Sequence, residues 1–427
     1  MSKKSNSAEF NQLLEDLYAL QRLGIKVGLE HTQRLMGVCG NPQDNFESIH
    51  IAGTNGKGST AAMIASILIK AGYSVGLYTS PHLIRFNERI RVNGVPISDE
   101  SIVEFMSQYN SAINEIKSTF FEATTAMTFD YFNKKKVDIA IVETGLGGRL
   151  DSTNVIKPKI TVITSITADH TEILGDDLET IAFEKGGIIK KGVPLILSSQ
   201  SKEVKNVLLE IADRKNSNVT YCKENGIKNI NISERGTNFN WYGVNYETRL
   251  IGEHQARNAV LAIEATKILS NKIKSDIIIN GLKKVNWPAR MQKMHETFPI
   301  FYDVAHNPHG IQVMLDSLFM IYHDKPIGLI ALKADKEIEL IVPKLKNRFK
   351  ELIVTSIPKL GLMEAKDLYD SLTKFGINTT LEPDIIKALK IINNAVSNTN
   401  PGLIFGSHYI GETIYKEYDF FFDIGII

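Results

Sequence analysis

The chain has 427 residues, 43% of them hydrophobic, which is enough for a substantial buried core and suggests two or three domains rather than one. Lys and Arg number 49 against 48 Asp and Glu, a net charge of +1, so whole-chain electrostatics give no case for a nucleic-acid or membrane-surface partner. Cys39 and Cys222 are too few for a disulfide framework or a cysteine zinc site; with no signal-like N-terminus and no apolar run of about 18 residues, the expectation is a cytoplasmic protein.

Phe10, Leu13, Leu14, Leu17, Leu20 and Leu23 recur at helical spacing, and Gly24 closes this first predicted helix. A second, short helix over 31–36 ends before Gly40-Asn41-Pro42. Residues 48–52 then read as a strand that breaks at Gly53-Thr54-Asn55-Gly56-Lys57-Gly58-Ser59 and re-forms as an apolar-periodic helix. Glycines let backbone approach a phosphate, the helix-start N–H groups point at the anion, and Lys57 adds a mobile cation. The expected ligand is the phosphate tail of ATP. The strict Walker spacing is not met: Ile51 stands at its first glycine, and Gly58 separates Lys57 from Ser59. A plain glycine-rich turn would give Lys57 and the Ser59-Thr60 pair no reason to follow.

The next strand, 74–79, runs out into Ser80-Pro81-His82-Leu83 and Arg85-Phe86-Asn87-Glu88-Arg89-Ile90, at the strand end where open α/β sheets bind ligands. A helix over 99–116, then residues 119–126, precede another helix that ends at Lys134-Lys135-Lys136, read as a solvated terminus. Residues 137–142 form a continuous apolar strand of the kind buried in parallel sheets, and it delivers Glu143 at its carboxyl end, followed by Gly145, Gly147 and Gly148. In P-loop enzymes an acidic residue there holds Mg²⁺ directly or through water. Strand 159–164 brings Ser165 to His170, and Glu184-Lys185 follows on a helix. A strand at 193–197, a helix over 202–214 and alternating residues 219–250 with Gly226, Gly236 and Gly243 predict a small β-rich insertion. Glu253 to Asn258 opens a long helix, Trp287-Pro288-Ala289-Arg290 closes the region, and a fresh α/β rhythm starts at 300–304. The expected fold is α/β: a P-loop NTPase-like parallel-sheet domain with a small β-rich insertion over 1–295, then a smaller Rossmann-like α/β domain over 296–427.

These stretches, in this order, resemble the Mur ligase superfamily, and within it the folylpolyglutamate and dihydrofolate synthases. The carriers are G-T-N-G-K-G-S, T-S-P-H-L with F-N-E-R-I, F-E-x-x-T-A, E-T-G-L-G-G-R-L-D-S-T-N, D-H with I-A-F-E-K, H-Q-A-R-N-A and D-V-A-H-N-P. Departures from the family spelling are Thr144, Ser152, Asp177, Gly186, Ala289 and Val304. The resemblance implies an ATP-dependent amide ligase: a substrate carboxylate takes the γ-phosphate, and the amine of L-glutamate attacks the acyl phosphate. It implies a folate as substrate, with dihydropteroate or folate polyglutamates, or both, left open. Gly53, Thr54, Asn55, Gly56, Lys57, Gly58 and Ser59 would bind nucleotide, with Asn258, Arg290 and Asp303. Mg²⁺, two ions in this expectation, would be held by Ser80, Glu143 and His170. Lys57, Lys185 and His306 would be catalytic, Lys185 as a carbamate formed with CO₂. A monomer is expected. A cell-wall ligase would need a nucleotide-sugar domain ahead of the loop, and a P-loop switch or motor would show a regular Walker loop without D-x-A-H-N-P.

Overall fold

The computed structural model describes residues 2–24, 28–358 and 360–420. The chain forms two compact units, one of residues up to 226 together with 257–284, the other of residues 227–256 together with those from 285 onward.

The first unit is built on an eight-stranded sheet: β1 (Glu47–Ala52), β2 (Val75–Tyr78), β3 (Ile90–Val92), β4 (Val95–Pro96), β5 (Ile139–Glu143), β6 (Ile160–Ile163), β7 (Leu195–Ser198) and β8 (Val219–Cys222). Its order is β4-β3-β2-β5-β1-β6-β7-β8, parallel from β2 to β8 with an antiparallel β3-β4 edge. Every residue of β2, β5, β6 and β7 is buried, the pattern their unbroken apolar runs require between helical layers. β1 lies at the centre between β5 and β6, so the loop after it emerges flanked by the ends of both. The strand at 219, expected in the β-rich insertion, instead extends this sheet as its outermost parallel member.

Helix starts follow their caps. Ser98 caps Asp99–Ile116, Thr119 and Glu122 form a reciprocal capping box at Phe120–Lys134, and Ser201 caps Lys202–Arg214. The first helix runs Ser2–Ala19 and tightens to a 3-10 turn over Leu20–Leu23 before Gly24, at φ 69°. Asp177, a departure from the family spelling, is explained by the cap it makes: its carboxylate accepts from the Thr180 N–H at 2.8 Å and hydroxyl at 2.7 Å. Gly186 lies where a Cβ would come within 2.6 Å of Ile211 Cδ1, so its bareness lets Leu178–Gly186 close on Lys202–Arg214.

In the second unit the chain continues with β9 (Ile227–Ser233), β10 (Gly236–Trp241) and β11 (Val244–Thr248), an antiparallel meander. Anticipated as an insertion ahead of residue 295, it clusters with the later residues because Ile232 and Ile251 pack into their core and Glu234 pairs with Lys293 at 2.6 Å and with the Tyr322 hydroxyl. The main sheet comprises β12 (Gln292–Lys293), β13 (Ile300–Asp303), β14 (Ile327–Ile330), β15 (Glu351–Ser356), β16 (Thr379–Asp384) and β17 (Gly402–Phe405) in the order β12-β13-β17-β14-β15-β16. All but β12 are parallel, the Rossmann-like arrangement expected. No helix among the described residues is long and apolar enough to cross a membrane.

Candidate active site

The loop after β1 is shaped by glycine where no other residue fits. Gly53 has φ 149° and a Cβ there would lie 1.9 Å from Thr164 Oγ1; Gly56 has φ 89° and its Cβ would meet Asn258 Oδ1 at 2.4 Å. Gly56 ends the loop as the left-handed residue ahead of the helix Lys57–Lys70, so the first amides of that helix face the loop. The end of β6 clamps the loop from one side. Thr54 and Asn55 amides donate to Ser165 O, and the Thr54 hydroxyl donates to Thr167 O at 2.9 Å. Asn258 thus touches the loop through Gly56.

Three charged groups gather here. Lys57 Nζ donates to Thr54 O at 3.3 Å and lies 3.9 Å from Glu143 Oε1; Glu143 also accepts from the Ser80 N–H at 3.2 Å. Glu143 is buried at the carboxyl end of β5, where the apolar strand delivers it. Lys185, on the helix Leu178–Gly186, is buried and donates to Gly53 O at 3.0 Å. Burial, and then the nearby Lys57 ammonium, pull its pKa down to about 7. Near neutral pH about half of such amines are uncharged.

The glycine loop after Glu143 is closed by Asp151, whose Oδ2 accepts from the Gly145 and Leu146 amides, both at 2.9 Å. Ser152, another departure, places its hydroxyl 2.6 Å from Thr125 Oγ1 of the F-E-x-x-T-A element. On the β2 side, a cis Ser80–Pro81 bond leads into His82, whose Nδ1 accepts from Arg89 Nε at 2.8 Å. Arg89 lies over the Phe120 ring, and Tyr18 stacks on the same ring. Glu88 holds the intervening turn by accepting the Leu83 and Ile84 amides at 2.7 and 2.8 Å. Tyr18 carries no signal of its own in the sequence and gains meaning only from the neighbours that folding supplies, whereas Asp151 stands in the E-T-G-L-G-G-R-L-D-S-T-N stretch without a task that the stretch itself reveals.

The structure therefore brings Gly53 to Ser59, Lys57, Ser80, Glu143, Lys185 and Asn258 to one locality. His170 is exposed, at left-handed φ 53°, ahead of the short helix Thr171–Leu174, and it is the adjacent Asp169 whose charge reaches Lys185. No three His, Cys, Asp or Glu side chains among the described residues form a metal-holding group. The donor set of Glu143 and Ser80 is hard oxygen, which suits Mg²⁺ with phosphate oxygens and water completing the shell.

In the second unit, Asp303 ends β13 and accepts the Met291 and Ala305 amides at 2.8 and 2.7 Å. Burial raises its pKa, opposed by the charge of Arg290 and by those two amides. His306 Nδ1 donates to Val304 O at 2.9 Å, and Asn307 caps Pro308–Phe319. Ala289, where the family spelling has glycine, adopts φ 53° at a cost of about 1 kcal/mol. Its N–H to Gln292 Oε1 and its carbonyl, bonded by Val304 N and Arg290 Nη1, hold it there.

A family model described as the Mur ligase middle domain matches residues 51–266, the stretch that carries this loop and its partners. The class is therefore that of ATP-dependent ligases built on the Mur ligase plan. A dihydrofolate synthase/folylpolyglutamate synthase of Bacillus subtilis is 38% identical over 416 residues, 92% of this chain and 96% of that protein. A Mycobacterium tuberculosis folylpolyglutamate synthase, solved with ADP and AMPPCP, superposes with a TM-score of 0.88 at 29% identity, covering 96% of this chain and 99% of that one. An Escherichia coli FolC in complex with DHPP and ADP gives a TM-score of 0.85 at 27% identity, over 95% and 97%. The chain belongs to the folylpolyglutamate synthase/dihydrofolate synthase family.

Proposed function

We propose that this ligase adds L-glutamate to the γ-carboxylate of a folate, including its polyglutamates, and also to dihydropteroate, as a monomer in the cytoplasm. The observation that carries the reading is the convergence of Lys57 and Lys185 on the backbone of one glycine loop, with Glu143 Oε1 3.9 Å from Lys57 Nζ. A substrate carboxylate oxygen attacks the γ-phosphorus, ADP leaves, and an acyl phosphate forms. The glutamate nitrogen then attacks the carbonyl carbon, phosphate departs with the bonding pair, and the nitrogen loses a proton to leave the amide.

Each residue has a task in this scheme. The loop amides from Gly53 to Ser59 and the Lys57 ammonium bind the phosphates and neutralise charge that develops during transfer. Asn258 backs the nucleotide side of the loop, and Arg290 and Asp303 are assigned to nucleotide binding. His306, whose Nδ1 donates to Val304 O, is assigned a catalytic part. Mg²⁺, when bound, supplies charge neutralisation and alignment of the phosphate oxygens; Ser80, Glu143 and His170 are its assigned holders. Two ions fit a Lys185 carbamate, formed as the neutral amine attacks CO₂ and releases a proton. A buried ammonium beside Lys57 is costly, and the carbamate reverses its sign.

Phosphate release from ATP and glutamate, with dihydropteroate, tetrahydrofolate or a muramyl nucleotide as third component, tests the reading. Turnover with both pteroyl substrates and none with the muramyl nucleotide is expected. Turnover with the muramyl nucleotide alone would overturn it, and light scattering of the eluting protein checks the monomer.

A further inference from the structure

His50 has no place in the scheme above, yet it is a fully buried histidine on β1, beside Val142 of β5 and so next to the strand that presents Glu143. Its Nε2 lies 2.9 Å from Thr153 Oγ1. Thr153 in turn donates both its hydroxyl and, at 3.0 Å, its amide to Asp151 Oδ1. The other Asp151 oxygen receives the Gly145 and Leu146 amides. Four donors thus converge on a single carboxylate.

The proton order along this chain can be worked out. Burial raises the Asp151 pKa, and the four donors on its two oxygens oppose that shift by favouring the ionised form, the form in which the Thr153 hydroxyl donates to it. Thr153 has one hydroxyl proton, and it goes to Asp151. Its oxygen can then only accept from His50, which makes His50 the Nε2–H tautomer with a bare lone pair on Nδ1. That nitrogen has no hydrogen-bond partner among the described residues, and an unmet lone pair costs less than an unmet N–H. Burial, and the Lys190 ammonium that donates to Asn154 O at 3.1 Å, keep the ring neutral by lowering its pKa to about 3.

We propose that His50 is a positioning residue: by donating to Thr153 it fixes the hydroxyl that holds Asp151, and Asp151 fixes the glycine loop directly following Glu143. The inference rests on the reading of Glu143 and its loop as catalytic machinery. A core histidine that merely satisfies itself would stabilise the fold and nothing more. What sets His50 apart is where its chain of hydrogen bonds ends, on the amides of Gly145 and Leu146 in the loop that directly follows Glu143. A displacement of reacting groups by about 1 Å can cost about 100-fold in rate.

The test compares wild type with His50→Leu, His50→Gln, Thr153→Val and the His50→Leu/Thr153→Val double variant. His50→Leu is expected to lower kcat by tenfold or more with the KM for ATP nearly unchanged, a loss of about that size being within what misplacement produces. Glutamine can still donate from Nε2, so His50→Gln should recover most of the rate. Because His50 acts through Thr153, the double variant should be no slower than the slower single one. In wild type with ¹⁵N-labelled histidine, the ring should show Nε2 protonated and Nδ1 bare from about pH 5 to about pH 8. Wild-type kcat in His50→Leu, losses that multiply in the double variant, or a protonated Nδ1 would each overturn the proposal. The ring spectrum decides even where His50→Leu fails to fold. Glu143→Gln separates the two failures: full activity there sinks the reading of the site, whereas an inactive Glu143→Gln beside a fully active His50→Leu sinks only the role of His50.

Discussion

Lys57 and Lys185 both donate to backbone carbonyls of the same loop, and burial of Lys185 pulls its pKa down to about 7. Its neutral fraction grows as pH rises through about 7, which is the form that reacts with CO₂. Lys185→Ala should therefore lower turnover strongly with little change in folate affinity, and short carboxylates in the buffer should restore part of the rate. Wild-type turnover in CO₂-free buffer, unchanged on adding bicarbonate, would remove the carbamate. His50 gives a second consequence of burial. Its pKa falls from the ordinary 6.5 to about 3 on folding, so between those values the unfolded chain binds a proton that the native one refuses. Its stabilisation is present above about pH 6.5 and drains away as pH falls, by up to about 1.4 kcal/mol per pH unit. Urea titrations should show wild type losing stability relative to His50→Gln across that window, and parallel curves would contradict the buried neutral ring. The sequence marks Lys57, Glu143 and Lys185 through motif and strand end. It is silent on His50, because the residue matters through Thr153, more than one hundred positions away in the chain.

The helix Lys57–Lys70 carries the phosphate loop, and its far side is closed by Ser275–Lys284. Gly281 makes that approach possible: a Cβ there would stand 2.6 Å from Ile67 Cα, and Ser66 Oγ donates to Gly281 O at 2.7 Å. The obstacle is backbone, which cannot swing aside as a side-chain tip can. Gly281→Ala should cost about 1–3 kcal/mol, read as a lower urea midpoint with an unchanged slope. An equal or higher midpoint would show that the helices separate freely. In the sequence this glycine looks like an ordinary helix interruption, where alanine would gain about 1 kcal/mol, so the sign of the effect depends on a tertiary contact. Strands and caps were far more legible. Asp99–Ile116 and Lys202–Arg214 begin at their serine caps, and β5 is bounded by its own apolar run. The membership of β8 and of the β9-β11 meander was not legible, since alternation predicts a half-buried strand and says nothing about which sheet or core receives it.

The cores follow the division into units. One set of buried residues, from Leu17 through Phe132 to Ile156, and another, from Ala52 through Ile163 to Ala212, lie wholly in the first unit. A third, from Ile251 through Phe301 and Leu315 to Phe405, lies wholly in the second. Units with their own cores can unfold with their own midpoints, so one free energy need not describe the whole chain. The phosphate loop, Lys185 and Asn258 all belong to the first unit, as do the Ser165 and Thr167 carbonyls that clamp the loop. A non-hydrolysable ATP analogue should therefore act mainly on that unit. At one hundred times its dissociation constant, such a ligand adds about 2.7 kcal/mol to the state that binds it. Calorimetry should resolve two transitions, and hydrogen exchange should assign the one that the analogue moves up to segments 53–60 and 165–167. Lys57→Ala should cancel most of the shift at the same ligand concentration while leaving the ligand-free transitions in place, because the Lys57 contacts with Thr54 O at 3.3 Å and Glu143 Oε1 at 3.9 Å are long and its proposed task is to bind the phosphates. An equal shift of both transitions, or the full shift retained in Lys57→Ala, would mean that the nucleotide is held chiefly by residues other than this loop.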